Sequence, residues 1–465
     1  MNGSSALMAI AHIFFCYILF SSFNKPFGYG AIVAEKSKSH TIPSICSGPE
    51  TGLRVVHKYG PCSPFGLNRT AATSSQILVQ DEHRVHVLNS RSHKRRTGGG
   101  KKKGRGRRRT GGGKKKGKEE AVTELDLLND SIGAANYLVE VGFGTPAKYF
   151  NLALDTGSYI TWVRCQRCTG SSCPQQHNES LYYPSSSSTS SNAPCYPLCT
   201  YTQPYLDHSY AIGFFVADTV SIEHEDEIPG FVFLCSDEQA GDFGKADGIL
   251  GLGLGSASVD FGSYSLTSMF DNVFCHCLPT SDKSMGYVYF GDKAHEKCPF
   301  SGSYTPLLTG SDPSLYFVNL IAITIGQTRV EISSDGSSPR AIIDSGTVIT
   351  RLPSSVYSAL RTEFQRLMSG YPSALPDHSL DTCYNLEGYN DPEIPMVLHF
   401  ENLDVSLDQA AVTSKGNGRS QVCLAFAEKE NEDDLTIIGN HQQQNLNILY
   451  NIPDQRVEIG PGSCL

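Results

Sequence analysis

An all-β chain built from two similar halves is what the sequence predicts, and three observations predict it. From Asn136 onward, short apolar runs cut by Gly, Ser, Asp and Pro follow one another, several of them alternating at the two-residue period of a strand. One such run recurs: Leu152-Ala-Leu-Asp-Thr-Gly-Ser158 reappears 189 residues later as Ala341-Ile-Ile-Asp-Ser-Gly-Thr347. The 465 residues are 39% hydrophobic and include 44 Gly and 24 Pro, a folded, turn-rich composition that excludes collagen-like, coiled-coil and helical-bundle chains.

Taken in order, the chain begins with an apolar run, Ala6 to Phe20, too short to span a membrane but suited to the core of a signal peptide. Residues 1–24 are assigned to that signal, although the preceding Met-Asn-Gly-Ser-Ser has no Lys or Arg; a buried core helix is the other reading. Residues 25–120 form a pro-segment with little strand alternation. Its stretch from 91 to 118 holds 15 of the 38 Lys+Arg and no acid, and cannot bury apolar surface, so disorder is expected. A solvated linker, a dibasic-type processing region and an arm for nucleic acid or an anionic surface are its three readings, and the lack of aromatic residues gives base stacking no support.

An N-terminal lobe over 121–305 and a C-terminal lobe over 306–465 follow. Strands are expected at Tyr149 to Asp155, Asp218 to Glu223, Gly230 to Leu234, Gly286 to Phe290 and Tyr316 to Ile332. One helix stands out. After Pro353-Ser354-Ser355, Val356, Leu360, Phe364 and Leu367 share a face and Gly370 closes the run.

Charge and cysteine set the compartment. From Ala121 there are 16 Lys+Arg against 41 Asp+Glu, a net −25 that argues against nucleic-acid binding by this part and favours acidic surroundings. Fifteen Cys, twelve of them after Ala121, read as disulfides formed in an oxidising compartment. Acceptor triplets at Asn68, Asn129 and Asn178 would be glycosylated there. No second long apolar run and no lipidation or anchor signal at the C-terminus follow, so the mature protein is expected off the membrane. Cys165-x-x-Cys168 with Cys173 lacks a second pair of metal ligands, HExxH and Gly-x-Ser-x-Gly are absent, and no metal or cofactor is expected.

The repeat extends downstream. Ile249-Leu250-Gly251 and Ile437-Ile438-Gly439 place their glycines 96 and 95 residues after Asp155 and Asp344. A lone Asp-Thr-Gly is weak, but two with matched spacing give each half one carboxylate. Two close carboxylates cannot both ionise cheaply; sharing one proton, they can act as base and acid on a water attacking a peptide carbonyl. Gly157 and Gly346 allow tight turns and close approach, the Thr156 and Ser345 hydroxyls can bond across the junction, and Ser158 and Thr347 can bond the outer carboxylate oxygens.

At these residues the sequence resembles the pepsin-like aspartic proteases, in particular the plant nepenthesin-like and chloroplast-nucleoid-DNA-binding-protease-like group. Further matches are Asn136-Tyr-Leu-Val-Glu-Val-Gly-Phe-Gly-Thr-Pro146, Gly248-Ile-Leu-Gly-Leu-Gly253, Leu380-Asp-Thr-Cys-Tyr384, Val422-Cys-Leu-Ala-Phe426 and Ile438-Gly-Asn-His-Gln-Gln-Gln444, with Leu53 to Pro64 in the pro-segment. The resemblance implies two β-rich lobes around a substrate cleft, catalytic Asp155 and Asp344, and a monomeric secreted endopeptidase made as a zymogen and acting on proteins or peptides. It implies a flap tyrosine at Tyr205 with Trp162 as partner, and Leu206 departs from the usual glycine there.

It also pairs Cys235 with Cys464 and Cys383 with Cys423, and makes Cys165, Cys168, Cys173, Cys195 and Cys199 a shortened Cys-rich insertion. All twelve cysteines after Ala121 are expected to pair. Cys275 and Cys277, on one strand face, need different partners; were Cys275 free, Cys298 would be the second free thiol. The alternatives are a catalytically weak or silent binding or inhibitor protein and a plastid nucleoid-associated protease, and for location the vacuole or chloroplast instead of the cell exterior or wall.

Overall fold

Parallel strand pairs explain the spacing of the repeat. The structure is a computed structural model and describes residues 46, 52–65, 74–98, 136–166, 181–193, 200–204, 210–222, 227–240, 246–254, 265–280, 285–298, 302–332, 340–416, 420–462 and 464. Strand Lys148–Asp155 lies parallel to Gly248–Gly251, with Asp155 opposite Gly251. Arg340–Ile343 lies parallel to Thr436–Ile438 in the same way. The Ile-Leu-Gly and Ile-Ile-Gly motifs thus flank their own lobe's Asp strand, which is why both lie about 95 residues on. In each lobe a short strand, Trp162–Arg164 or Thr350–Leu352, comes next; each is antiparallel to the glycine-motif strand and parallel to a third, Glu227–Ala240 or Phe426–Glu428.

The two lobes meet through one sheet. A 14-stranded sheet carries the first lobe and also takes in Leu446–Asn451 and Arg456–Pro461, because Val273–Cys277 pairs with Leu446–Asn451. The second lobe has an eight-stranded and a four-stranded sheet. The expected helix runs over Ser354–Leu367 and buries Val356, Tyr357, Leu360 and Phe364. Alternating runs such as Met396–Phe400 bury every second residue, as a sheet with one wet face requires.

The expectation of little packed structure before Glu120 needs correction. Leu53–His57 is a strand set between Gly286–Phe290 and Tyr137–Phe143, antiparallel to both, with Leu53, Val55 and His57 buried. Ser74–Gly98 is a 25-residue helix that includes the first residues of the basic run. Its buried face, Leu78, Asp81, Val85, Leu88, Asn89 and Ser92, keeps helical spacing but is half polar, so apolar periodicity alone does not announce it. Ser44–Leu465 form one compact unit. Residues 1–43 and 99–118, which hold the signal and the rest of the basic run, lie outside the described residues, as do Asn68, Asn129 and Asn178.

The expected Cys235 to Cys464 bridge is replaced. Cys235 bonds Cys165, because the parallel pairing of Val163 with Cys235 brings Cys165 alongside; their Cα atoms are 5.4 Å apart. Cys464 instead meets Cys277, where the C-terminal strands lie against Val273–Cys277. Cys275 bonds Cys298 at the end of the short helix Gly291–Lys297, so neither is free. Cys383 and Cys423 face each other on neighbouring strands and are joined, and Cys46 joins Cys62. Cys168, Cys173, Cys195 and Cys199 lie outside the described residues.

Candidate active site

Asp155 ends its strand and Asp344 follows its own directly, and both carboxylates are buried. A Cβ on Gly251 or Gly439 would strike the backbone of Ile160 or of Val348, so only glycine lets the next loop cross there. At the turns, Gly157 N donates to Asp155 Oδ1 (2.9 Å) and Gly346 N to Asp344 Oδ1 (3.1 Å). A Cβ on Gly157 would lie 2.5 Å from Asp344 Oδ1, and one on Gly346 2.6 Å from Asp155 Oδ1. Each glycine therefore admits the carboxylate of the opposite lobe.

The turns are tied across the junction. Thr156 N donates to Ser345 Oγ (3.0 Å) and Ser345 N to Thr156 Oγ1 (2.9 Å), while Ser345 Oγ donates onward to Leu154 O (3.2 Å) and Thr156 Oγ1 to Ile343 O (3.4 Å). Each hydroxyl both accepts and donates, so this buried hydrogen-bonding capacity is used and the lobes are held in register. Thr347 Oγ1 donates to Asp344 Oδ2. The buried Ser158 Oγ pulls on Asp155 from a position short of hydrogen-bond geometry.

A side chain from the upstream helix fills the space between the carboxylates. Arg84 donates from Nη2 to Asp155 Oδ1 (2.7 Å) and Asp344 Oδ1 (3.1 Å), and from Nη1 to Asp155 Oδ2 (3.1 Å). Its side chain is 9% exposed. Burial alone would push the guanidinium down, but Asp155 and Asp344 together push it up. Burial likewise raises both carboxyls; at Asp155 Arg84, Ser158 and Gly157 N together outweigh it and hold the group low, whereas at Asp344 burial and the neighbouring Asp155 charge win and hold it high. Such a pair titrates as a unit, and the split separates a member that stays ionised from one that keeps a proton.

The same helix is anchored mainly on the second lobe. Asp81 accepts from Val348 N (2.5 Å), Ile349 N (3.2 Å) and Arg351 Nη2 (2.7 Å). Asn89 accepts from Leu435 N (2.8 Å), Ser75 donates to Asp377 (2.6 Å), and Ser92 bonds Ser311 (2.7 Å). Leu78 packs with Val348, Ile349 and Leu380, and Val85 and Leu88 with Leu315, Phe317 and Ile437.

The structure thus brings Asp155, Thr156, Gly157, Ser158, Asp344, Ser345, Gly346 and Thr347 together. Trp162 is fully buried with Ile160, Phe215, Leu234 and Ile249. Tyr205 lies outside the described residues; the strands Thr200–Pro204 and Tyr210–Ser221 that flank it pair antiparallel. Sequence reading missed Arg84 and Asp81. Their signal was local: Leu78, Val85 and Leu88 bracket both at helical spacing, ahead of the basic run.

Comparison with known proteins agrees with this geometry. The family model for eukaryotic aspartyl protease matches residues 136–461. An aspartyl protease family protein of Arabidopsis thaliana is 32% identical over 93% of this chain and 92% of its own length. Aspartic proteinase nepenthesin-1 of Nepenthes gracilis is 28% identical over 71% of this chain and 79% of its own. Among solved structures, conglutin gamma, a basic 7S globulin from lupine seeds, superposes with a TM-score of 0.56 at 16% identity, covering 72% of this chain and 94% of that one, a likeness of fold. With this match over most of its length, and with relatives of nearly equal extent, the chain belongs to the eukaryotic aspartyl protease family.

Proposed function

We propose that the chain is a secreted aspartic endopeptidase made as a zymogen, with Asp155 and Asp344 as its catalytic pair and the segment 25–120 as its pro-segment. The observation that carries this reading is the single Arg84 guanidinium bound to both buried carboxylates from a helix that precedes the matched family region. With Arg84 gone, a water takes its place between the carboxyls. Burial and the Asp155 charge still hold Asp344 high without Arg84, so Asp344 keeps the shared proton and donates to the developing oxyanion, while Asp155 accepts the water's proton as the water attacks the peptide carbonyl. No covalent intermediate forms.

Acid releases the helix. Asp155 is held low by Arg84, so its contribution to docking is complete above the ordinary carboxylate range and is lost as pH falls through its depressed value. Export would remove residues 1–24, disulfides would form in the secretory pathway, and processing between Lys118 and Asn136 would free the mature chain, a monomer acting on protein or peptide substrates. The test is hydrolysis of a denatured protein by the acid-processed chain from pH 3 to 7. Asp155→Asn or Asp344→Asn should each lower turnover by about a thousandfold or more while leaving the fold intact. Turnover near wild type in either variant would remove the reading.

A further inference from the structure

Arg351 is a charged residue that the catalytic scheme does not use. It sits on the short strand Thr350–Leu352, seven residues after Asp344, and its side chain is 6% exposed with the upstream helix in place. Asp81 supplies its ion pair at 2.7 Å from Nη2, and the same carboxylate takes the backbone N–H groups of Val348 and Ile349. Two oxygens therefore meet three donors. Among the described residues, the buried Arg351 Nε has no hydrogen-bond partner, so the guanidinium has capacity that Asp81 does not fill.

Asp81 precedes Arg84 by three residues, a helix rise of about 4.5 Å. The carboxylate pocket is thus about one turn from the paired aspartates. An extended peptide advances about 3.3 Å per residue, so it covers that distance within one to three residues of the bond being cut. When the helix leaves, Arg351 and two backbone N–H groups lose their anion together, and an unpaired buried guanidinium is a demanding group to leave in place.

We propose that this pocket is a substrate subsite for an acidic side chain: the helix residue Asp81 stands in for a substrate Glu or Asp carboxylate, placed at one fixed position within three residues of the scissile bond. This rests on the peptidase reading above. The preference runs against the net −25 of residues 121–465, which repels acidic peptides in general, so it should be confined to one position.

The experiment scans one Glu, and its uncharged isostere Gln, through three positions on each side of the cleaved bond in a neutral peptide. The enzyme is the acid-processed full chain, at the highest pH where it still turns over. At one position Glu should exceed Gln in kcat/KM by about ten- to a hundredfold, the range of a charge-assisted hydrogen bond. The ratio should fall toward one near pH 3, where the glutamate is protonated, and Arg351→Gln should abolish it while Arg351→Lys keeps part. A ratio near one at every position, the same ratio at all positions, or an undiminished ratio in Arg351→Gln would overturn the subsite. Should Arg351→Gln fail to fold, the position scan of the wild-type protein and its pH dependence decide the matter alone. Hydrolysis of no peptide at all would remove the peptidase reading, and this inference with it.

Discussion

In the first lobe the strand Lys148–Asp155 ends on a carboxylate held low by a guanidinium; in the second the equivalent strand leads to a carboxylate held high by burial and by its neighbour's charge. The frames are otherwise alike: a parallel partner strand, a glycine where the next loop crosses, a turn glycine under the opposing carboxylate, and a hydroxyl bonded across the junction. The surroundings differ. Thr347 donates to Asp344 in good geometry, while Ser158 does not reach that geometry with Asp155, and the upstream helix grips the second lobe while the upstream strand joins the first lobe's sheet. The repeat fixes where the carboxylates stand, and unrepeated neighbours decide how each one titrates.

The cross-lobe hydroxyls offer the strongest way to break this likeness. Thr156→Val and Ser345→Ala each remove a buried acceptor from the other lobe's N–H, and each should cost about 1–3 kcal/mol of stability. Near-equal losses in thermal unfolding are expected. A large loss from one and none from the other would show that the junction is not shared symmetrically.

The titration difference is sharpened by the outer hydroxyls. Thr347 favours the ionised form of Asp344, so Thr347→Val should raise that carboxyl further and move the alkaline limb of the pH–rate profile upward by about one unit. Ser158→Ala should move the profile less. An equal or larger effect at Ser158 would contradict the assignment.

Much of this frame was legible in the sequence because it is local or repeated. The Asp-Thr-Gly and Asp-Ser-Gly turns, the strand of Gly286 to Phe290 and the helix after Pro353 are each written in contiguous residues. The disulfide partners were not, since Cys165 reaches Cys235 and Cys277 reaches Cys464 only through strand order. Arg84 was hidden for another reason. It is one of 22 Lys+Arg in the first 120 residues, on a helix whose buried face carries Asp81, Asn89 and Ser92 among its apolar residues.

A smaller effect concerns the upstream strand. Burial, then Lys58 and His441, lower the His57 pKa to about 3, and its Nδ1 accepts from Tyr59 N. Neutral His57 therefore supports docking fully above its ordinary value near 6.5, and that support is lost as pH falls toward 3. In His57→Phe, hydrogen exchange should show the 53–57 amides protected to a pH lower by about half a unit. Unchanged protection would remove His57 from the acid response.

The central claim, that the paired carboxylates are one site masked by one arginine, is tested most directly by the pH at which the full-length chain begins to process itself. The wild-type chain should stay intact at neutral pH and begin processing only in acid. Arg84→Met should move that onset upward by about one pH unit or more, since the helix loses its hold on both carboxylates while Asp81 keeps its own. An onset identical in the two chains would contradict the account.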